Sequence, residues 1–161
     1  MNEWWQGIGN MVIAEFSDLP DIIEFTRLIL RLAIAAALGG LLGWERERSG
    51  KAAGMRTHML VSTGAALLVL VPERMGMSDA DLSRVIQGIV TGVGFLGAGT
   101  ILKSNSEQTV KGLTTAAGLW FTAAIGITAG LGREGSAVLS ALLALIILHI
   151  VPRIWRKAGG S

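Results

Sequence analysis

Cysteine and tyrosine are absent from these 161 residues, proline occurs 3 times, and no lysine or arginine precedes Arg27. Without cysteine there are no disulfides and no thiolate metal sites. Charged residues make up only 16 % of the chain, and the apolar runs between them are too long and too numerous for the core of a soluble domain of this size. All 12 acids lie at or outside the estimated ends of those runs. A path for a divalent cation, which needs oxygen ligands at membrane depth, therefore has little support. There is no P-loop, nucleophile–base pair or paired acid, so neither an enzyme nor a cofactor is expected. His58 and His149 have no second ligand at metal spacing and read as interfacial polar residues, leaving no metal site. A formal charge of +2 gives nucleic-acid binding little support.

What remains reads as an all-α integral membrane protein. Apolar residues form 51 % of the chain and fall into about five runs, roughly 25–44, 58–72, 85–102, 113–131 and 136–154. Several are shorter than the ~20 residues of a perpendicular span, so packing must help them cross. In residues 2–19, Trp4, Trp5, Ile8, Met11, Val12 and Phe16 recur at helical steps, which suits an interfacial helix. The expected organisation is an amphipathic segment at 1–21, a transmembrane domain at 22–154 and a cytoplasmic tail at 155–161. With the N-terminus outside, alternate segments hold 9 inner basic residues against 3 outer ones, favouring N-out and C-in. Trp44 and Trp155 then sit at one interface and Trp4 and Trp5 at the other. The start lacks a basic n-region and a small-residue cleavage site, so no cleavable signal peptide is expected.

Glycine is abundant, at 22 residues. Ala35, Gly39 and Gly43 form a four-residue ladder, as do Gly88 with Gly92, and Gly118, Thr122, Gly126 and Gly130. Such ladders let helix backbones approach closely. The run 88–101 weakens a helix by up to about 1 kcal/mol per glycine. It is either a span broken beside a cavity or a continuous helix packed on all sides, and the lack of proline and charge favours the second.

Arg27 and Arg31 share a face of the first span, and Arg31 lies about 13 Å in if the span starts near Ile22. Glu24 is their nearest local partner. They mark either an interface or, with Gly92, Gly94, Gly97, Gly99 and Trp120, a functional cavity or subunit contact. Between the first two spans lies a loop with Arg46, Arg48, Lys51 and Arg56. Glu45 is spaced to pair with Arg48, and Thr57 and Thr114 are placed to cap spans. The loop suits anionic lipid, phosphate or an acidic surface, or it serves only to set topology. Lys111, Thr114 and Thr115 open the fourth span as a weak anion site.

Three segments, 41–68, 84–102 and 110–120, taken together resemble the MgtC/SapB family of bacterial inner-membrane proteins. The family pattern falls on Gly43, Glu45, Arg46, Arg48, Gly54, Arg56 and Thr57, then on Gly92, Gly94, Phe95, Gly97, Gly99, Gly112, Leu113, Thr115, Ala116 and Trp120. The resemblance implies a multi-pass protein of the inner membrane, linked to growth in low magnesium and, in pathogens, to survival inside host cells. It implies modulation of other membrane proteins, an F-type ATP synthase among them, in place of the magnesium transport once presumed. The cytoplasmic ACT-like domain of longer members is not expected here. Three readings follow: a non-enzymatic regulator, a small transporter or channel, and a lipid-binding scaffold using the basic loop. The small-residue faces predict a homodimer.

Overall fold

The computed structural model describes residues 2–15, 21–103 and 110–157, without the side chains of residues 2, 3, 102, 103 and 153–157. The expected contributions of Phe16 and Asp18, and the tail at 158–161, lie outside the described residues, as do the side chains of Lys103, Arg153, Trp155, Arg156 and Lys157. By its contacts the chain forms two units, Met1–Leu30 and Arg31–Ser161.

In the first unit α1 runs Asn2–Glu15, with Trp4 80 % and Trp5 73 % exposed. The second helix, α2, spans Ile22–Arg48. Asp21 starts it: its side chain accepts from the Ile23 N–H at 3.1 Å, satisfying one orphan donor of the first turn.

The second unit holds the rest of α2, then α3 (Met55–Arg74), α4 (Asp79–Ala98), α5 (Leu113–Gly130) and α6 (Glu134–Lys157). Between α4 and α5 a two-residue antiparallel ribbon, β1 (Leu102–Lys103) with β2 (Val110–Lys111), pairs Leu102 with Lys111. Glycine closes two of the helix connections: Gly50 at φ 65° after α2 and Gly132 at φ 68° after α5. Both occupy the left-handed position that ends a helix at little cost.

Among the described residues, four helices are long and apolar enough to cross a bilayer: α2, α3, α5 and α6 as far as Pro152. The chain is an all-α, multi-pass membrane protein. α4 is the fifth candidate. It has 20 residues, but Asp79, Asp81 and Arg84 occupy its first two turns, lowering its apolarity. Its glycines do not break it, and the helix is continuous from Asp79 to Ala98.

α5 is the centre of the second unit, with half its residues buried against α3, α4 and α6. One apolar cluster joins Ala35 and Leu42 of α2 to Ala66, Ile125, Ala129, Ala137, Ala141 and Ala144. The other joins Ala65 and Val69 to Ile89, Val93, Ala123 and Ile127. The core is built from small side chains, so the backbones carry the contacts. A Cβ on Gly39 would stand 2.6 Å from the His58 carbonyl oxygen, and one on Gly43 2.5 Å from the Met55 Cα. On α5, a Cβ on Gly126 would collide with the Ser62 carbonyl, and one on Gly130 would stand 2.5 Å from that of Ala66.

Candidate functional site

Within the second unit successive helices alternate in direction, so its chemistry gathers at two ends. At one end, residues from three other helices meet Arg31. Its Nη1 donates to Glu73 Oε2 at 2.9 Å and to the Gly130 carbonyl at 3.0 Å, and its Nε lies 3.9 Å from Glu134 Oε1. With a side chain only 22 % exposed, Arg31 is a clamp that binds the ends of α3 and α5 to the start of α6. A Cβ on Gly132 would strike this guanidinium. Arg27 is different: its side chain is 66 % exposed and pairs with Glu24 at 3.4 Å. Arg31's own partners are distant in sequence. Glu73 and Glu134 close helices that end or begin beside it, a signal that the alternation of direction already contains.

At the other end lies the basic loop. Arg46 is buried, its side chain 4 % exposed, and forms an ion pair with Glu45. Ser49 Oγ donates to the same carboxylate at 2.9 Å. The predicted Glu45–Arg48 pair does not form. Arg48 instead lies 4.8 Å above the Trp44 ring, a cation–π contact on the outer face of α2. Glu45 and Arg46 turn inward, where leaving either alone would bury an uncompensated charge. The predicted caps are replaced as well. α3 starts at Gly54 and α5 at Gly112. In place of Thr57, Glu47 Oε2 accepts from the Met55 N–H at 3.0 Å. Thr114 lies one residue inside α5.

His58, expected at the interface, is fully buried. Its Nδ1 stands 3.0 Å from the Gly54 carbonyl oxygen. A carbonyl only accepts, so Nδ1 carries the hydrogen and Nε2 of the neutral ring is a bare acceptor. Among the described residues that buried Nε2 has no hydrogen-bond partner, nor have the buried hydroxyls of Ser62 and Thr122.

His58 belongs to the wall of an apolar cavity of about 210 Å³, formed with Leu42, Ala117, Phe121, Ala144 and Leu148. A second, polar chamber of about 620 Å³ is lined by Glu45, Arg46, Ser49, Lys51 and His149. Thr114, Ile147 and Leu148 line both. The predicted anion trio is thus divided. Thr114 faces the chambers, Thr115 is buried, and Lys111 is exposed on the ribbon.

Among the described residues the α4 glycines do not touch Arg31. Gly92 and Gly94 are exposed, with nothing within 4 Å of an added Cβ, while a Cβ on Gly97 would stand 3.4 Å from Ala116. Gly99 and Thr57 line a groove of about 500 Å³ with Phe95 and Leu119. Arg56 is exposed, and Trp120 is 45 % exposed.

Residues 32–157 match the profile of the MgtC family. The chain belongs to the MgtC family. It is 42 % identical over 130 residues to "Putative magnesium transporter YhiD" of Escherichia coli strain K12, covering 76 % of this chain and 59 % of that protein. It is 42 % identical over 146 residues to Protein SrpB of Synechococcus elongatus, covering 84 % and 80 % respectively. Against Protein MgtC of Salmonella typhimurium, identity is 43 % over 117 residues, covering 73 % of this chain and 49 % of that one. The chain therefore spans about half to three-fifths of the length of the Salmonella and Escherichia relatives. No solved structure matches it. Placed on this member, the family pattern divides into parts. Gly43 and Gly54 lie against buried His58, Glu45 and Arg46 pair with one another, Gly112 makes the turn into α5, and Gly92, Gly94 and Phe95 face outward.

Proposed function

We propose that this MgtC-family chain is a non-enzymatic protein of the bacterial inner membrane that acts in magnesium homeostasis and low-magnesium adaptation by binding and regulating other membrane proteins. The reading is carried by the outward face of α4. Gln87, Gly88, Thr91, Gly92, Gly94 and Phe95 are all exposed there, Phe95 at 82 %. Lipid gains nothing from glycine and pays to surround an amide. A partner helix gains close backbone contact and hydrogen bonds from the same surface. The partner is a second copy of this chain or another membrane protein, such as the ATP synthase the family resemblance suggests. The basic end, with Arg46, Arg48 and Lys51, faces the cytoplasm on this reading, with the N-terminus outside.

The test is Gly92→Leu in cells lacking the native chain. The variant is expected to fold with thermal stability equal to or slightly above that of the parent, to lose α4-to-α4 or α4-to-partner cross-links, and to fail to support growth when magnesium is limiting. Normal growth with a folded variant would sink the reading.

The name of the Escherichia coli relative favours a second reading, magnesium transport. Purified protein in liposomes separates the two: the regulator moves no Mg²⁺ by itself, and flux abolished by Arg31→Ala would replace it with the transporter.

A further inference from the structure

The outward face of α4 differs from that of α6 in what it shows its surroundings. α6 presents Leu139, Leu142, Leu143 and Ile146, each half exposed or more, the branched apolar surface that acyl chains cover well. On α4 the exposed large apolar side chains among the described residues are Phe95 and Leu96. Phe95, 82 % exposed, is a knob on a low surface, because Gly92 and Gly99 lie one helical turn to either side of it. Beside the knob is a hole. The groove of about 500 Å³ that Phe95 lines runs from the end of α4, at Ala98 and Gly99, to Thr57 and Val61 of α3, with buried Leu119 in its wall. Positions 81, 84, 88, 92, 95 and 99 are separated by three or four residues and so share one side of the helix. At the far end of that side Arg84 Nη1 pairs with Asp81 Oδ1 at 2.7 Å.

From the knob and the hole on one surface we infer that a second copy of this chain covers the α4 face, the Phe95 ring of each copy seated in the groove of the other. The inference rests on the reading of this face as a protein-binding surface, and it names the partner. Two copies inserted in the same orientation are related by an axis along the membrane normal, so every residue meets its partner at its own depth. Phe95 and the groove meet that condition, since Phe95 stands on the groove's own rim. The low stretch at Gly88 and Gly92, where an added Cβ meets nothing within 4 Å, lets two α4 helices cross closely enough for the rings to reach. Charge does not oppose the pairing: each Arg84 arrives already balanced by Asp81, so the copies bring no bare like charges to the seam. An unlike partner would need a knob and a hole of its own at these two positions. A second copy supplies both.

The full chain has no cysteine, so an introduced thiol reports only on its own position. Gly88→Cys protein in native membranes, treated with a short bismaleimide, is expected to give a product of twice the chain mass. Leu142→Cys, on the outer face of α6, is expected to give none. The dimer fraction is then followed in liposomes against the protein-to-lipid ratio, by counting photobleaching steps. Phe95→Ala removes the knob, and Ala98→Phe fills the hole from an exposed lining position. Each is expected to raise the ratio needed for half-dimerisation by roughly tenfold, with the melting temperature of the parent. Mixing the two variants is the decisive arm. The Ala98→Phe chain keeps its Phe95, which meets the open groove of the Phe95→Ala chain, while the filled groove faces no ring. One of two contacts is restored, so mixed dimers should form at a ratio roughly threefold lower than either variant alone. Random mixing overturns the inference, as does equal cross-linking at Leu142→Cys. A Gly88→Cys product with another protein and none with itself also overturns it, but leaves the regulator reading standing with an unlike partner. Normal growth of Gly92→Leu cells in limiting magnesium sinks that reading whatever the copies do.

Discussion

Two sets of glycines in this chain share a four-residue spacing and have opposite surroundings. Gly39 and Gly43 of α2, and Gly126 and Gly130 of α5, lie against the backbone of α3, where even a methyl group meets carbonyl oxygen or Cα. A Cβ added to Gly88 or Gly92 of α4, or to Gly94 beside them, would meet nothing from another element within 4 Å. α4 packs inward through Ile89, Val93 and Gly97 instead. A ladder of small residues therefore states that a helix can be approached closely. Which neighbour does so depends on where the larger apolar side chains point. In α2 and α5 the ladder and the core coincide, whereas in α4 they lie on different faces.

The same substitution on either side of this divide tests it most sharply, and the seam gives the largest effect. Gly126→Ala places a methyl on the Ser62 carbonyl, which neither a rotamer change nor a flexible tip relieves. Thermal unfolding in mild detergent is expected to show a loss of about 3 kcal/mol, the upper range for overpacking. A loss under about 0.5 kcal/mol would mean that α3 and α5 separate easily, and the seam would not differ from the α4 face. Next comes Gly112→Ala. Gly112 combines φ 97° with a Cβ position on the Thr100 carbonyl, and strain of about 2 kcal/mol is expected in the same assay. Because the turn joins the ribbon to α5, protease cleavage between α4 and α5 should rise in parallel.

Third is the clamp that holds the seam shut at the opposite end. Arg31→Met removes the donor to Glu73 and Gly130 and leaves two carboxylates near one another. The cost is expected at about 2 kcal/mol, below that of a fully buried pair because Glu73 and Glu134 retain water. Adding Glu73→Gln should recover part of it, since the second change removes the abandoned charge. If the double variant is less stable than the single one, Arg31 does not act through Glu73.

The helices were legible in the sequence because apolar runs and charge breaks mark them; most ends fell within four residues, but α4 begins six residues before its apolar run, at Asp79. The site was less so, for identifiable reasons. Arg31's bonds reach 42 and 99 positions along the chain, beyond any local rule. The i,i+3 spacing of Glu45 with Arg48 described a helix surface in water, but Glu45 and Arg46 face the interior, and burial outweighs spacing. His58 stands one turn into α3, where depth along the helix suggests an interface. The close approach of Gly39 and Gly43 on α2 and of Gly118 on α5 covers it, a contact between residues far apart in the chain. Thr57 and Thr114 were poor guides to capping because glycine occupies both N-cap positions, and a carboxylate from the preceding helix serves α3 in place of a hydroxyl.

The smallest effect has the opposite sign. Gly92→Ala adds a methyl where nothing stands within 4 Å, so no clash offsets the gain from replacing glycine inside a continuous helix. That gain is about 0.5–1 kcal/mol, and the isolated protein should melt slightly higher. At a closely packed partner helix the same methyl is unwelcome, so cross-linking between α4 and its partner should fall as stability rises. Stability and association moving together would place Gly92 on an ordinary lipid-facing surface. Their moving apart, on a substitution that in the seam costs several times more, distinguishes a glycine kept for an external contact from one kept for an internal one.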